Sequence, residues 1–236
     1  MTEAFERQLQ IPGTCRLQFF TTMPAHKLRL VTTALLPCHC PRVDYDDAMT
    51  QAEVIQVFRK TGALLEGHFV LRSGLHSRQF FQCALALQHM PDVEKLGAAL
   101  AAQVRGLGVT TVISPAMGGL VIGQEVARQL GVRFIFVEKE EGKLVLRRGF
   151  KIGVGEKILI VEDVVTKGGR VQETLDIMRG CGGNTAGVAM VVDRSNGMIN
   201  LGVPTFSLLA LNVQTFEADK LPPDLAAIPA VKPGSK

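Results

Sequence analysis

The sequence of 236 residues contains no tryptophan, only one tyrosine, and a net charge of only +4. Proteins that bind nucleic acids commonly stack bases on aromatic side chains and present a dense basic stripe, and no such stripe is evident here. No apolar run approaches the ~20 residues that a membrane-spanning helix needs. We therefore expect neither a nucleic acid nor a membrane as a partner.

Signatures of metal and nucleotide binding are also scarce. No two of the five cysteines have Cys-x-x-Cys spacing, and no second cluster completes a zinc site with Cys38-His39-Cys40. We interpret the thiols as incidental in a reducing, cytoplasmic compartment. Neither a Walker A loop nor a Gly-x-Gly-x-x-Gly after a strand occurs, which argues against two common nucleotide-binding folds.

The first 48 residues differ in pattern from the rest of the chain. They hold three of the five cysteines and show no sustained periodicity. The apolar stretch 28–36 is short for a signal peptide, and the acidic residues nearby do not suit a transit peptide. We interpret residues 1–48 as an N-terminal extension that is either poorly ordered or untranslated, with Met49 as the true start. Residues 49–236 then form the functional domain.

From Thr50 onward, helical patterns alternate with short apolar runs. Thr50-x-x-Glu53 is a capping box that starts a helix, and two extended runs around Ser73-Gly74 predict a hairpin. The predicted strands that follow are residues 109–114, 132–137, 157–161, 185–192 and 203–209. This order predicts an α/β fold with a doubly wound, mostly parallel sheet. Because ligands of such sheets bind at the carboxyl edge, the loops 114–119, 138–150 and 162–170 should carry the chemistry.

The segment from Ile158 to Gly169 combines an apolar strand, two adjacent carboxylates and a Thr/Gly turn at a helix start. Glu162 and Asp163 can accept hydrogen bonds from vicinal hydroxyls or hold a Mg²⁺ ion. The backbone N–H groups from Thr166 to Gly169 can cradle a phosphate in front of the helix dipole. Together these groups suit a ribose 5-phosphate.

This segment resembles the phosphoribosyl pyrophosphate (PRPP) motif of the type I phosphoribosyltransferases. Lys167 and Arg170 stand where that family usually has small or hydroxyl-bearing residues, and they can supply charge-assisted phosphate contacts. The resemblance implies Mg²⁺ as the cofactor, carried by PRPP and held in part by Glu162 and Asp163, with Asp163 also catalytic. The PRPP-binding residues that it implies here are Glu162, Asp163, Val164, Val165, Thr166, Lys167, Gly168, Gly169 and Arg170.

An upstream stretch is similar to the amino-terminal hood of the orotate phosphoribosyltransferases. It runs from Gly67 to Gly74 and is followed by Ser77 and Phe80-Phe81. The pair Asp193-Arg194 and the tail 231–235 match the same family. The resemblance implies a type I phosphoribosyltransferase-like sheet with a small hood subdomain, formed by residues from about 50 to 90 and the C-terminal segment.

The same resemblance implies roles for individual hood and sheet residues. Arg72 takes the place of a family lysine that reaches both substrates, and so belongs to the PRPP site. Phe80, Phe81 and Thr166 line the pyrimidine pocket. Arg194 pairs with the carboxylate of orotate, an arrangement that its guanidinium group can make bidentate.

Two more loops correspond to functional loops of the family. Gly118 and Gly119 belong to the pyrophosphate loop, in which many members carry a lysine where Met117 stands. Residues 138–149 correspond to a mobile catalytic loop, and Lys139 and Lys143 are its candidate catalytic lysines. In the family, a lysine of this loop closes over the site of the neighbouring subunit. A homodimer with a shared active-site loop is therefore implied.

The implied activity is the transfer of ribose 5-phosphate from PRPP to orotate, which gives orotidine 5′-monophosphate and pyrophosphate in de novo pyrimidine biosynthesis. The implied partners are these small molecules. Two alternatives stay open. One is transfer to a purine or to uracil, and the other is a regulator that senses PRPP without catalysis. Met117, Lys167 and Arg170 are the residues that keep the second alternative open.

Overall fold

The computed structural model describes residues 49–71 and 73–233. The predicted extension, residues 1–48, and the predicted substrate contact Arg72 lie outside the described residues. The helices in the described segments are α1 (Gln51–Lys60), α2 (Cys83–Leu87), α3 (Met90–Val104), α4 (Gly119–Leu130), α5 (Gly169–Gly180) and α6 (Pro223–Ala226). The strands there are β1 (Leu64–Val70), β2 (His76–Phe81), β3 (Thr111–Pro115), β4 (Arg133–Glu140), β5 (Lys143–Leu146), β6 (Lys157–Val165), β7 (Asn184–Asp193), β8 (Thr205–Ala210) and β9 (Thr215–Phe216).

The central sheet has the strand order β5-β4-β3-β6-β7-β8. All neighbouring strands are parallel except the edge pair β4 and β5. From β3 the chain continues outward through α4 to β4, whereas from β6 it continues in the opposite direction through α5 to β7. The order thus reverses between β3 and β6, and open sheets of this kind bind ligands in the crevice at such a reversal. The predicted doubly wound, mostly parallel sheet is confirmed.

Helices cover both faces of this sheet. One apolar cluster joins α1, α3 and α4 to the sheet, and a second joins α5 to the opposite face. The predicted capping box at Thr50 and Glu53 is present, and Val54 and Phe58 of α1 are fully buried. Gly123 lets α4 approach β3 closely, because a Cβ there would lie only 1.9 Å from the Ser114 hydroxyl oxygen. The main layers are therefore held by continuous apolar packing, with each large buried side chain worth ~1.5–3 kcal/mol.

Several element boundaries differ from the prediction. Strand β6 extends to Val165 instead of ending at Val161, because its ladder with β7 continues until Val165 pairs with Asp193. The two carboxylates consequently lie within the strand. Helix α2, which begins at Cys83, and strand β5 were not predicted. The residues of β5 form a strand because they pair antiparallel with the extended end of β4.

A second, smaller sheet has the order β1-β2-β9 and is antiparallel. Val231 of the C-terminal segment adds to it by forming a parallel bridge with Phe69 of β1. The predicted hairpin around Ser73-Gly74 is confirmed by the pairing of β1 with β2. None of the helices in the described segments has the length and hydropathy that crossing a membrane requires.

Candidate active site

A cleft of about 1040 Å³ lies between the central sheet and the small sheet. Its floor is formed by Gly118 and by residues 162–171, which leave the carboxyl ends of β3 and β6. The wall from the small sheet contributes Val70, Phe80 and Phe81. The C-terminal residues Lys232 and Pro233 also line the cleft. The crevice at the reversal of strand order thus brings most of the predicted PRPP residues together.

The two adjacent carboxylates form the polar centre of the floor. Glu162 is only 4% exposed, and its Oε1 accepts a hydrogen bond from the Asp163 N–H at 3.1 Å. Asp163 is less buried, and its Oδ1 accepts from the Val164 N–H at 2.8 Å. Burial raises the pKa of Glu162, and the hydrogen bond to Asp163 and the charge of Asp163 raise it further. A neutral Glu162 donates a hydrogen bond, so Asp163 is the better acceptor for substrate hydroxyls.

The glycine pair of the predicted pyrophosphate loop packs directly on these carboxylates. A Cβ at Gly118 would lie 2.6 Å from Asp163 Oδ1, and a Cβ at Gly119 would lie 2.7 Å from the Val161 carbonyl oxygen. A side chain at Gly119 would meet the backbone, and one at Gly118 would force the Asp163 carboxylate to move, so glycines let the loop reach the floor without displacing it. The preceding peptide bond, Ala116–Met117, is cis. The Met117 side chain is 78% exposed.

The turn after β6 presents unpaired backbone donors to the cleft. Gly168 adopts φ +73° and is the N-cap of α5. Within the described segments, no backbone carbonyl accepts from the N–H groups of residues 167–170. Lys167 and Arg170 are exposed and line the cleft beside these donors. Free N–H groups at a helix N-terminus bind phosphate well, so the predicted phosphate cradle has the geometry it needs.

Of the four predicted base-binding residues, three line the cleft and Arg194 does not. Phe80, Phe81 and Thr166 line the cleft, whereas the guanidinium carbon of Arg194 lies 5.3 Å from the ring centroid of Phe81. Burial lowers the pKa of Arg194. Its Nε is buried without a hydrogen-bond partner in the described part of the chain. An unpartnered buried donor of this kind is unusual and points to a missing ligand.

The predicted catalytic lysines lie elsewhere. Lys139 on β4 and Lys143 on β5 are exposed and do not line the cleft. The segment forms a charged hairpin with two internal ion pairs of 2.9 Å, Glu140–Arg147 and Glu138–Arg148. The hydrogen bond to Arg148 lowers the pKa of Glu138.

Several cleft-lining residues were not predicted. Val70 comes from the small sheet, Gln82 from the N-cap of α2, Val171 from α5, and Lys232 and Pro233 from the C-terminal segment. The resemblance of the tail to one family was the only sequence signal for the last two. Nothing local in the sequence places the tail in the cleft.

The carboxylates fit a magnesium ion that arrives with its phosphate ligand. No group of three or more potential ligands among His, Cys, Asp and Glu is assembled within residues 49–71 and 73–233. Mg²⁺ prefers six oxygen ligands, and two adjacent carboxyls supply only part of such a shell. The donor set therefore suits a Mg²⁺–PRPP complex, in which phosphate oxygens and water supply the remaining ligands.

Comparison with known proteins places the chain among phosphoribosyltransferases. Residues 84–202 match the model of the phosphoribosyl transferase domain. The orotate phosphoribosyltransferase of Desulforamulus reducens is 51% identical over 188 residues, which cover 80% of this chain and 98% of that protein. The enzyme of the same name from Pelotomaculum thermopropionicum is also 51% identical, with 80% and 99% covered. The crystal structure of orotate phosphoribosyltransferase from Aeropyrum pernix shares the fold, with a TM-score of 0.57, 24% identity, and coverage of 67% of this chain and 93% of that one.

Proposed function

The chain belongs to the orotate phosphoribosyltransferases, within the type I phosphoribosyltransferase family, and on this premise we propose how its cleft performs that reaction. The enzyme transfers ribose 5-phosphate from PRPP to orotate, which yields orotidine 5′-monophosphate and pyrophosphate in pyrimidine biosynthesis. The observation that carries the proposal is the position of Asp163 between the glycine loop and the phosphate turn.

PRPP spans the glycine loop (Gly118-Gly119), the Asp163 carboxylate and the turn after β6, which we call the phosphate turn. Its 5-phosphate binds the free N–H groups of residues 167–170, where Lys167 and Arg170 add charge-assisted contacts. The ribose diol donates to the Asp163 carboxylate and contacts Glu162. The pyrophosphate lies against the backbone of Gly118 and Gly119, since the lack of side chains there leaves room for an anion.

Catalysis consists mainly of positioning and charge stabilisation. The bond from the ribose C1 to pyrophosphate breaks with its electron pair on the leaving oxygen, and C1 gains oxocarbenium-like character. A ring nitrogen of orotate then forms the new bond from the opposite face and loses its N–H proton, which the departing pyrophosphate can accept. Asp163 stabilises the positive ribose and holds it in line with the base. Mg²⁺ bound with PRPP would be held in part by Asp163, with Glu162 beside it, and would supply charge neutralisation for the departing pyrophosphate.

Orotate occupies the half of the cleft next to the small sheet. Phe80 and Phe81 face its ring, and Thr166 lies at the boundary with the phosphate turn. Arg194 pairs with the orotate carboxylate. The contact of its guanidinium group with the ring of Phe81, which lines the cleft, supports this assignment, as does its buried Nε, which has no hydrogen-bond partner in the described residues. Arg72 remains a proposed contact to both substrates.

The hairpin β4–β5 completes the site of a neighbouring subunit. The position of Lys139 and Lys143 outside the cleft of their own chain supports this arrangement. A homodimer lets each hairpin close over the other subunit's cleft, which excludes water and protects PRPP from hydrolysis. The working compartment is the cytoplasm, where PRPP and orotate are the partners.

We keep residues 1–48 as an extension and residues 49–236 as the transferase domain. The helix that begins after the Thr50 cap supports Met49 as the start of the domain. The intact mass of the protein from its natural source tests whether translation starts at Met49. A mass corresponding to all 236 residues would contradict a start at Met49.

The activity is tested by following the ultraviolet absorbance of orotate in the presence of PRPP and Mg²⁺. We expect a loss of absorbance that requires both, and no turnover of uracil or adenine, which lack the carboxylate that Arg194 pairs with. Turnover of a base without a carboxylate would contradict the assignment of orotate. PRPP binding by calorimetry without any turnover would favour a PRPP-sensing regulator.

A further inference from the structure

The C-terminal segment is built into the wall of the cleft. After α6, Val231 runs parallel to β1, donating from its N–H to the His68 carbonyl at 2.8 Å and accepting from the Val70 N–H at 2.9 Å. The tail thus extends the small sheet by one strand position along the free edge of β1. The next residue, Lys232, is carried to the end of β1 at which Val70 enters the cleft.

Two histidine side chains of the hairpin also hold this segment. His68 is buried, and its Nδ1 lies 2.7 Å from the Ile228 carbonyl oxygen, so Nδ1 donates. The Nε2 of His68 lies 2.6 Å from Nδ1 of His76 on β2. Nε2 of a neutral His68 then accepts from His76. This relay joins both strands of the hairpin to the tail.

Helix α6 provides a second anchor upstream of the tail. Leu225 is fully buried, and Asp224 pairs with Arg78 of β2. The segment from α6 to Val231 is therefore fixed to the small sheet at several successive points. The backbone of the residue that follows such an anchored segment has a defined position, which is unusual so close to a chain terminus.

Lys232 brings a positive charge to this position. Lys232 lines the cleft with Val70 and Phe80, and the floor of the cleft holds Lys167 and Arg170. No ion pair engages Lys232 within residues 49–71 and 73–233. An exposed ammonium group in a cleft that receives two anionic substrates is well placed to bind one of their anionic oxygens.

We propose that Lys232 is a substrate-binding residue, which the pairing of the tail with β1 holds in the cleft. It binds an anionic oxygen, from either a PRPP phosphate or the orotate carboxylate. His68 and His76 are positioning residues that act through the tail. This inference rests on the proposed transferase function and deepens it, because it adds a cation from the C-terminal segment to the site.

The test is the steady-state kinetics of Lys232→Ala in the full chain. We expect KM for one substrate to rise roughly tenfold or more, as for the loss of a hydrogen bond to a charged group, with kcat less affected. A rise in KM for PRPP identifies a phosphate as the ligand, and a rise in KM for orotate identifies the carboxylate. Lys232→Arg should restore most of the loss, because it retains the charge.

Lys220→Ala is the matched control, since Lys220 lies in the same C-terminal region, is exposed and pairs with Glu217 outside the cleft. We expect it to behave as the unmodified protein in both KM values. Unchanged KM values in Lys232→Ala, measured beside an active unmodified protein, would overturn the role of Lys232. An inactive unmodified protein would instead overturn the proposed function.

Discussion

Two segments leave the same edge of the central sheet and differ in almost every physical respect. The end of β6 packs under Gly118 and Gly119, and the turn that follows it lines the cleft. Within residues 49–71 and 73–233, no backbone carbonyl accepts from the N–H groups of residues 167–170 in this turn. The hairpin β4–β5 is exposed, satisfies its charges with its own ion pairs, and places no residue in the cleft. The first segment is a preformed binding surface. In the proposed mechanism, the second segment acts only in the cleft of a neighbouring subunit.

This difference separates two kinds of catalytic contribution. Groups on β6 and its turn are held by a buried central strand, so they are preorganised for PRPP before it binds. The hairpin is tied to the core near its tip, where the Leu144 N–H donates to Glu173 of α5 at 2.6 Å. Lys139 pairs with Leu144 across the hairpin, and Lys143 directly precedes it. Binding is thus assigned to one segment and closure to the other.

The largest expected effect is on the preformed surface. Asp163→Asn keeps the shape of the side chain but removes the charge that stabilises the ribose. We expect kcat/KM to fall by about 10²–10³, the typical effect of one preorganised electrostatic contact. Asp176→Asn, on the exposed face of α5, is the control and should retain full activity. An active Asp163→Asn would remove the basis for calling β6 the catalytic floor.

Substitutions in the hairpin should cause a comparable loss of activity, but in kcat and not in PRPP affinity. We expect Lys143→Ala or Lys139→Ala to lower kcat about a hundredfold, since the contact forms only on closure. PRPP affinity by calorimetry should change little, whereas Asp163→Asn should weaken it. Lys151→Ala, an exposed lysine outside the hairpin, serves as control. If both hairpin variants keep full activity, the hairpin is not the catalytic loop.

Close packing of the glycine loop predicts a smaller effect on stability. An alanine at Gly118 would place its Cβ 2.6 Å from Asp163 Oδ1, so the loop or the carboxylate must move. We expect Gly118→Ala to lower the free energy of unfolding by ~1–3 kcal/mol and to weaken PRPP binding. Gly106→Ala has open space around it and should be neutral in both measurements. Equal behaviour of the two variants in thermal unfolding would show that the loop is not packed as described.

The buried carboxyl predicts a pH dependence of stability that the exposed hairpin should not share. The pKa of Glu162 is raised from its ordinary value of 4.5, so above that pH the folded state binds more protons than the unfolded state. The contribution of Glu162 to stability is therefore lost as pH rises from 4.5 toward the raised pKa. The amide of Glu162→Gln resembles the neutral acid and escapes this loss.

Thermal unfolding of both proteins at pH 5 and pH 8 measures this effect. We expect the Tm of Glu162→Gln relative to the unmodified protein to increase at the higher pH, by ~2–4 °C for each kcal/mol. Glu138→Gln in the hairpin should not show this increase, since its partner Arg148 lowers the pKa of Glu138. A Tm difference for Glu162→Gln that is independent of pH would contradict a neutral Glu162.

The preformed segment was also the more predictable of the two from sequence. An apolar run, two carboxylates and a Thr/Gly turn are local signals, and the segment that they mark lines the cleft in the structure. The end of β6 was misplaced, because Glu162 and Asp163 interrupt the apolar pattern while the ladder with β7 continues. Strand β5 depends on pairing with β4 and has no strong pattern of its own.

The position of the tail could not be predicted for a related reason. The hydrogen bond from His68 to Ile228 spans 160 residues, and no local pattern reports such a contact. Arg194 was predicted to meet the substrate; it is not among the cleft-lining residues, but its guanidinium carbon lies 5.3 Å from the ring centroid of Phe81, which is. Local motifs thus indicated the chemistry, whereas long-range pairing determined which further residues reach it.

Mixing two inactive variants tests most directly whether one active site uses segments of two chains. Asp163→Asn and Lys143→Ala are purified separately, then combined under conditions that exchange subunits. In a mixed dimer, one cleft carries both changes and the other carries neither. We predict recovery to roughly a quarter of the unmodified activity at equal amounts, because about half of the dimers are mixed and each has one intact site. No recovery despite demonstrated exchange would contradict the account and place the hairpin over the cleft of its own chain.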